Sequence, residues 1–209
     1  MAKINTAQWE QFMDELATQE YVVIDNFLED HELKLLLEQF QKRKEQNLFE
    51  KAAIGASGNE RVINEIRGDY TVWLSRKNDT QFEPIFIRID EVKLVLNRLC
   101  MLSISDFEFH LALYPRGSFY KKHLDQFNNR NNRLISMVLY LNENWKQGDG
   151  GELRIHNDKN QHIDIAPIMN RLILFRSDTV LHEVLVSNTE RKSLTGWMLY
   201  QPSILANLY

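Results

Sequence analysis

The amino-acid sequence predicts an α+β fold in which a double-stranded β-helix (jelly roll) is buttressed by amino-terminal helices. The first 105 residues contain three segments whose apolar side chains recur at helical spacing. From Phe107 onward come about eight short strand-like runs, separated by turn-forming residues. Eight strands in two sheets are the jelly-roll solution to the problem of exposed sheet edges. We therefore predict one domain over residues 1–209, with residues 1–105 as helical support and residues 106–201 as the jelly-roll core.

The amino-terminal half is expected to form helices around strands. The helical segments carry apolar residues on one face, as Trp9, Met13 and Leu16 do in the first of them. In chain order we expect a helix capped by Thr6, a strand over Tyr21–Phe27, a helix opening at Asp30, a mobile loop over Lys51–Glu60, a strand over Ile66–Leu74 and a helix from about Pro84 through Leu99.

The carboxy-terminal half is expected to be all β. Glycine-, asparagine- and proline-containing turns divide it, among them Pro115-Arg116-Gly117 and Gly148-Asp149-Gly150-Gly151. The predicted strand-like runs are FEFHLALYP, SFYKKHLD, RLISMVLYLN, GGELRIH, QHIDIAP, RLILFRS, VLHEVLVS and SLTGWMLYQ.

Composition and charge exclude several classes of protein. Lys and Arg number 25 against 29 Asp and Glu, giving a net charge of −4, whereas dedicated binders of nucleic acid or anionic membranes need a basic surface. The single cysteine, Cys100, cannot form an intrachain disulfide, which favours a reducing compartment. The amino terminus lacks the apolar core of a signal peptide, and no run approaches the roughly 18 apolar residues that span a bilayer. We therefore expect a cytoplasmic protein that binds neither nucleic acid nor membrane.

Three His-x-Asp pairs are candidate metal ligands, because residues i and i+2 of a strand project from the same face. They are His123/Asp125, His156/Asp158 and His162/Asp164. His162 and Asp164 alternate with isoleucines, as in a strand with a solvated polar face, and Asp158 lies in an Asn-Asp-Lys-Asn turn. His123 and Asp125 end an aromatic-rich strand beside a polar loop, so this pair is the preferred one.

A third ligand is available at His182, within an apolar strand-like run. A lone histidine there is more often a satisfied core residue, but Arg191 follows nine positions later. Two imidazoles and one carboxylate leave three positions of a metal open, which is the arrangement of non-haem Fe(II) oxygenases. Arg191 could hold the distal carboxylate of a co-substrate through a bidentate pair, although it also fits a solvated arginine at the end of a strand.

The order HLD, YLN, GGELRI, LH and then Arg191 resembles the Fe(II)/2-oxoglutarate-dependent dioxygenases. A second element, IRGDYTVWL, resembles the IRGD-x-x-x-W element of their prolyl 4-hydroxylase branch, which includes the hypoxia-inducible-factor prolyl hydroxylases and their bacterial counterparts. The resemblance covers nearly the whole chain from about Tyr21. Agreement at two distant places is more specific than any single His-x-Asp pair.

The resemblance implies that His123, Asp125 and His182 are the iron ligands. Together with Arg191 they would form the catalytic set. Retention of Asp125 favours hydroxylation, because a small residue at that position would open a halide site and indicate halogenation.

The resemblance also implies a binding site for 2-oxoglutarate. Arg191 and the Tyr140 hydroxyl would hold the C5 carboxylate, and Tyr114, Thr195 and Trp197 would line the same pocket. Tyr140 and Trp197 equally fit ordinary core aromatics, since both alternate with aliphatic neighbours.

Four residues would contact the peptide substrate or shape its entrance: Arg67, Asp69, Trp73 and Tyr120. Asp69 would pair with an arginine of the loop after Asp125, which offers Arg130 and Arg133, and the sequence does not distinguish the two. The segment Ser75–Pro84 would be a mobile finger that closes over the substrate.

The implied reaction is hydroxylation of a prolyl residue at C4, with conversion of 2-oxoglutarate and O₂ to succinate and CO₂. Ascorbate, which restores Fe(II) in this family, is expected as a further cofactor. The expected substrate is a proline in a protein loop, which belongs to a translation elongation factor in bacterial relatives and to a transcription factor in animals. The compact chain favours a bacterial enzyme.

Two alternatives stay open at this stage. One is a 2-oxoglutarate oxygenase that hydroxylates a free amino acid or another small molecule, and the other is a non-enzymatic cupin-like binding module that has kept the jelly roll. The intact His/Asp/His/Arg set argues against the binding module. Peptide-dependent formation of succinate would separate the two enzymes.

Overall fold

The computed structural model describes residues 4–52, 65–126, 132–157 and 161–200. Two β-sheets and three α-helices are the main elements of these residues. The helices are α1 (Thr6–Gln19), α2 (Asp30–Glu45) and α3 (Glu83–Leu99), and a short 3₁₀ helix, Thr80–Phe82, precedes the last. The strands are β1 (Tyr21–Ile24), β2 (Glu50–Lys51), β3 (Tyr70–Leu74), β4 (Asp106–Tyr114), β5 (Tyr120–His123), β6 (Arg133–Tyr140), β7 (Leu153–His156), β8 (His162–Ile165), β9 (Leu172–Arg176), β10 (His182–Val184) and β11 (Arg191–Leu199).

The strands form a seven-stranded sheet and a four-stranded sheet. The large sheet has the order β1-β9-β6-β11-β4-β3-β2, and the small sheet has the order β5-β10-β7-β8. Neighbouring strands run antiparallel in both. Each of the eight strand-like runs predicted from Phe107 onward overlaps one of the strands β4–β11, although β4 and β11 begin one and two residues before their runs. The predicted jelly roll is confirmed.

The large sheet separates two apolar cores, because successive side chains of a strand alternate between its faces. On β4, Phe109, Leu111 and Leu113 pack in the core that includes the helices. Ala112 and Tyr114, on the opposite face, pack in a second core with residues of the small sheet. The helices therefore cover one face of the large sheet, as predicted, and its other face encloses a cavity together with the small sheet.

The first helix is capped one residue earlier than predicted. The Asn5 side chain, not that of Thr6, accepts a hydrogen bond from the Gln8 amide at 3.0 Å, and the Gln8 side chain accepts one in return from the Asn5 amide. This reciprocal pair is a capping box, which satisfies two amide groups at once. The helices predicted to open at Asp30 and near Pro84 are confirmed, as α2 and α3.

The observed ends of one predicted strand and one predicted loop differ from the expected ones. The strand predicted over Tyr21–Phe27 ends at Ile24, because Asn26 adopts a left-handed backbone and Phe27 donates its amide to the Asn170 carbonyl oxygen instead of extending the sheet. In the loop predicted over Lys51–Glu60, Lys51 belongs to β2, and residues 53–60 lie outside the described residues.

The segment predicted as a strand over Ile66–Leu74 passes from one sheet to the other. The Ile66 carbonyl accepts from Lys121 and the Gly68 amide donates to Phe119, so its first residues pair beside the small sheet. From Tyr70 onward it pairs with β4 of the large sheet. The side chains between the two sheets therefore lie at one mouth of the cavity.

The segment Ser75–Pro84, predicted to be a mobile finger over the substrate, does not lie over the cavity. It forms a turn and the 3₁₀ helix, and Phe82 within it is fully buried. Asp79 forms an ion pair with Arg43 of α2, and Arg76 bonds to Glu83 and Asp90 of α3. These contacts hold the segment against the helices. Residues 75–84 accordingly contribute no side chain to the cavity lining.

In the described ranges, no helix is long and apolar enough to cross a bilayer. The single domain over residues 1–209 stays a prediction.

Gly196 offers the sharpest test of this packing, since it lies in β11 between β4 and β6. An added β-carbon would collide with the Glu108 carbonyl oxygen and the Phe109 ring. We expect Gly196→Ala to lower the free energy of unfolding by about 3 kcal/mol, since backbone cannot easily move aside. Urea unfolding followed by circular dichroism measures the change.

The matched control is Gly148→Ala, whose added methyl group meets nothing within 4 Å. It carries only the strain of a left-handed backbone, with a φ of 98° and a cost of about 1 kcal/mol. Equal losses in the two variants would contradict the close packing of β11 against β4.

Candidate metal centre

The cavity between the sheets collects most of the residues predicted to be functional. Its lining includes three entrance residues (Arg67, Trp73, Tyr120) and all the predicted metal and co-substrate residues except Tyr140, namely His123, Asp125, His182, Arg191, Tyr114, Thr195 and Trp197. Tyr140 and Asp69 lie behind this wall and are fully buried. The predicted residues are therefore brought together from both sheets.

His123, Asp125 and His182 form one cluster. His123 ends β5 and His182 begins β10, and the antiparallel register places the two residues directly opposite each other. Asp125 follows His123 by two residues, and its carboxylate lies beside the two imidazoles. His123 Nε2 lies 3.4 Å from Asp125 Oδ1, and His182 Nε2 lies 3.8 Å from Asp125 Oδ2. One ligand atom from each residue lies within 4.8 Å of the others.

Hydrogen bonds behind the two imidazoles orient them. His123 Nδ1 lies 2.7 Å from the Lys121 carbonyl oxygen, and His182 Nδ1 lies 2.9 Å from that of Val180. Because a carbonyl oxygen only accepts, each Nδ1 carries a proton, so Nε2 is the nitrogen of each ring that can offer a lone pair to the cluster. Metal-binding histidines typically show this arrangement, in which the outer bond sets the tautomer.

The charges of the cluster also suit a metal. Burial alone would raise the pKa of Asp125, but the His182 and His123 imidazoles and a hydrogen bond from Ser136 hold that pKa well below its usual range. Burial lowers the pKa of His182 to about 4, although the Asp125 carboxylate opposes the shift. At neutral pH Asp125 is thus a carboxylate and His182 is neutral, the protonation states that metal binding requires.

The donor set fits a divalent metal with open coordination positions. Two neutral imidazoles and one carboxylate are the ligands of the facial triad, which leaves three positions for exogenous ligands. All three side chains are largely buried, with exposed fractions of 11% for His123, 11% for Asp125 and 5% for His182. A metal at this place would therefore be shielded from bulk water.

Arg191 and Tyr114 in the cavity wall, with Tyr140 behind it, form a second polar group. The Arg191 guanidinium carbon lies 4.7 Å from the Tyr114 ring centroid and 4.9 Å from the Tyr140 ring centroid. Its Nε donates to the Gly151 carbonyl oxygen at 2.8 Å, and a β-carbon at Gly151 would crowd the Arg191 Cδ at 2.8 Å. Within the described residues no carboxylate pairs with Arg191, although it is only 3% exposed. A buried guanidinium at a cavity fits an anionic ligand.

The Tyr140 hydroxyl is also available for a ligand. It is buried and has no hydrogen-bond partner of good geometry among the described residues. Burial raises the pKa of this hydroxyl, and the Arg191 charge only partly opposes the shift. The hydroxyl therefore stays protonated and can donate beside the guanidinium. Thr195 and Trp197, four and six residues beyond Arg191 on β11, continue the same wall.

His110 is a cavity residue that the sequence reasoning missed. It lies on β4 opposite Thr195, and its ring packs between Trp73 and Trp197, with centroid distances of 4.8 Å and 5.5 Å. The signal was present in the alternation of FEFHLALY, which places residue 110 on the same face as Tyr114. Burial lowers its pKa to about 3, so the ring is neutral at physiological pH.

The entrance residues form a stack that ends on the metal cluster. The Arg67 guanidinium lies 4.4 Å from the centroid of the Tyr120 ring, whose other neighbour is the His123 ring, with centroids 3.7 Å apart. Trp73 stands at the mouth with 54% of its surface exposed.

The predicted partner of Asp69 was wrong for the part of the loop that is described. Asp69 accepts two hydrogen bonds from Arg67, and Arg133 pairs instead with Glu108. The Arg133 guanidinium carbon lies 3.4 Å from the Trp197 ring centroid. Arg130 lies outside the described residues.

The two other His-x-Asp pairs lie away from the cluster. His156 and His162 face each other on β7 and β8, and His156 Nε2 lies 2.9 Å from a Glu183 carboxylate oxygen. Asp164 pairs with Arg154, and Asp158 lies outside the described residues. The described members of these pairs, His156, His162 and Asp164, do not line the cavity.

Comparison with known proteins begins with a family model. The model of the 2OG-Fe(II) oxygenase superfamily matches residues 109–199. This span begins within β4 and ends with β11, so it includes the metal cluster and Arg191.

Two curated relatives are prolyl hydroxylases. The chain is 28% identical over 191 residues to the hypoxia-inducible factor prolyl hydroxylase of Caenorhabditis elegans, which covers 86% of this chain and 26% of that protein. It is 34% identical over 141 residues to the human prolyl hydroxylase EGLN3, which covers 63% of this chain and 58% of that protein. The chain therefore spans only part of the length of these relatives.

Two solved structures are similar over nearly their full length. A crystal structure of a Pseudomonas putida prolyl-4-hydroxylase has a TM-score of 0.83 and 34% identity, covering 92% of this chain and 99% of that one. A prolyl hydroxylase of Trichoplax adhaerens, in complex with a peptide from the oxygen degradation domain of hypoxia inducible factor, has a TM-score of 0.83 and 27% identity, covering 93% of each chain.

His110 predicts a pH dependence of stability. Its pKa is about 3 in the folded protein against 6.5 for an ordinary histidine, so between these values the unfolded chain binds a proton that the folded chain does not. Stability therefore falls as pH falls from about 6.5 towards 3. We expect His110→Leu to lose less stability than the wild type between pH 7 and pH 5, measured by urea unfolding. The control is His31→Leu, at a residue with a 74% exposed side chain, which should follow the wild type; parallel curves for all three proteins would contradict the assignment.

Proposed function

The chain belongs to the prolyl 4-hydroxylases of the 2OG-Fe(II) oxygenase superfamily, and from this membership we propose that it hydroxylates a prolyl residue of a protein substrate at C4. One observation carries the proposal: a single cavity is lined both by a cluster of two imidazoles and one carboxylate and by a buried arginine, which packs against the ring of a buried tyrosine. The first group suits Fe(II) and the second suits the distal carboxylate of 2-oxoglutarate. The proposed reaction converts 2-oxoglutarate and O₂ to succinate and CO₂.

In this proposal His123, Asp125 and His182 hold the iron. The carbonyl oxygens behind the two imidazoles place the proton of each neutral ring on Nδ1, so that Nε2 is the nitrogen that faces the metal, and the depressed pKa of Asp125 keeps its carboxylate ionised. When bound, Fe(II) supplies the oxidation chemistry with O₂ that amino-acid side chains cannot perform. The protein positions the groups and excludes water.

Arg191 and Tyr140 anchor the co-substrate in this proposal. Arg191 keeps donors free after its Nε bonds to Gly151, and the Tyr140 hydroxyl adds one more. Burial holds the pKa of Tyr114 well above its usual range, so this tyrosine also faces the anion as a neutral donor. Thr195 and Trp197 line the rest of the pocket.

The cavity mouth suits a peptide. Trp73 offers an exposed aromatic surface there, and the stacked Arg67 and Tyr120 side chains line the cavity beside it. Asp69 holds Arg67 in place by accepting two hydrogen bonds from it. The Trichoplax relative is seen with a peptide, which supports a protein segment as the substrate of this chain. We propose a loop proline as the target, with a translation elongation factor as the candidate substrate protein, a cytoplasmic location and ascorbate as the reductant.

Removing the distal anchor should separate the co-substrate site from the metal site. We expect Arg191→Ala to keep Fe(II) but to bind 2-oxoglutarate about 30-fold or more weakly, since truncating one partner of a buried charge pair costs about 2 kcal/mol or more. Anaerobic titration with Fe(II) and then 2-oxoglutarate, followed by the visible charge-transfer band, measures both steps. Arg154→Ala, on the outer face of the small sheet, is the control. Wild-type affinity for 2-oxoglutarate in Arg191→Ala would contradict the assignment of Arg191 as the anchor of the distal carboxylate.

Proline-containing peptides test the function itself. With Fe(II), 2-oxoglutarate and O₂, we expect the wild type to form succinate in step with the addition of one oxygen atom to proline, as seen by mass spectrometry. His182→Ala should lose iron and turnover. His156→Ala, a matched histidine outside the cavity, should keep both. Turnover of free amino acids alone would favour the small-molecule oxygenase, and absence of metal binding in the folded wild type would favour the binding module.

A further inference from the structure

A chain of two serine hydroxyls lies behind the Asp125 carboxylate. Ser136 Oγ, on β6, is 2.6 Å from Asp125 Oδ2, and Ser177 Oγ, one residue beyond β9, is 2.8 Å from Ser136 Oγ. Ser136 is 1% exposed and Ser177 is fully buried. No sequence motif pointed to either serine, and neither lines the cavity.

The directions of these hydrogen bonds follow from the chemistry of the groups. The ionised Asp125 carboxylate only accepts, so the single hydroxyl proton of Ser136 must point to Oδ2. Ser136 can then only accept from Ser177, whose hydroxyl is the donor at the end of the chain. Each donor strengthens the next, because a hydroxyl that accepts a hydrogen bond becomes a better donor.

The main chain around Asp125 is held by the same two strands. The Gln126 amide donates to the Ser177 carbonyl oxygen at 3.1 Å, and the Gln126 side chain donates to the Arg133 carbonyl oxygen at 2.6 Å. Arg133 Nη1 donates to the Asp125 carbonyl oxygen at 3.3 Å. The backbone of Asp125 is therefore fixed relative to β6 and β9, and the hydrogen bond from Ser136 restrains the orientation of its carboxylate.

We propose that Ser136, supported by Ser177, is a positioning residue that holds the Asp125 carboxylate, through Oδ2, in the orientation in which Oδ1 can bind a metal. The inference rests on the proposed function, since it assumes that the cluster binds a metal. A carboxylate that is not held in advance must be ordered when the metal binds, and this cost lowers the affinity for the metal. The serine therefore contributes to metal affinity although its own hydroxyl does not touch the metal.

The test is the affinity for metal without any co-substrate. Mn(II) is titrated anaerobically into the metal-free protein, and the free ion is measured by electron paramagnetic resonance. We expect Ser136→Ala to bind Mn(II) about 10- to 100-fold more weakly, the usual cost of removing a partner behind a metal ligand. Ser136→Thr keeps the hydroxyl and should restore the affinity, and Ser177→Ala should lie between Ser136→Ala and the wild type.

The matched control is Ser193→Ala, which removes another fully buried serine hydroxyl, one that lies 3.0 Å from Thr195 Oγ1. It should bind Mn(II) as the wild type does. Urea unfolding of each variant separates a general loss of stability from a loss of metal affinity. Equal Mn(II) affinity in Ser136→Ala and wild type would overturn the positioning role while leaving the proposed function intact. A folded wild type that binds no metal would instead overturn the proposed function.

Discussion

The carboxylate of Asp125 carries its charge in a place that water barely reaches, since the residue is only 8% exposed. An isolated carboxylate would take up a proton there, because a buried charge costs several kcal/mol. The imidazoles of His182 and His123 and the hydroxyl of Ser136 oppose this by favouring the ionised form. They come from β10, β5 and β6, so the charge persists only when both sheets are assembled in register.

The same alternation of side chains that builds the two cores also builds the site. On β6, Met137 and Leu139 pack towards the helices, whereas Ser136 and Tyr140 face the cavity side. A shift of one residue in the β6 register would exchange these faces. It would bury polar groups among the helices and remove both the support of Asp125 and the hydroxyl beside Arg191. The apolar contacts with the helices therefore hold the catalytic geometry as well as the fold.

The parts that could be predicted from the sequence are those whose signal is local. The strands are indicated by the alternation of apolar and polar residues and by the turns between them. His123 and Asp125 are only two residues apart at the end of one strand. The partner of Asp69 was not predicted, because we sought it in the loop after Asp125, which offers Arg130 and Arg133. Arg67, only two residues before Asp69, donates to it instead, and an arginine so close in sequence gives no signal of its own. Ser136 gave no signal, since a serine among apolar residues is ordinary until a carboxylate is seen beside it.

The charges around the cavity finally explain why a dianionic acid suits it. Arg67 is paired with Asp69, and Arg133 with Glu108, so these two arginines bring little net charge. His110 is neutral, because burial keeps its pKa far below physiological pH. If Fe(II) binds as proposed, Asp125 cancels one of its two positive charges, and Arg191 adds one positive charge at the other end of the wall. The cavity then carries one positive charge at each end, and the two carboxylates of 2-oxoglutarate match that separation of charge better than a monoacid does.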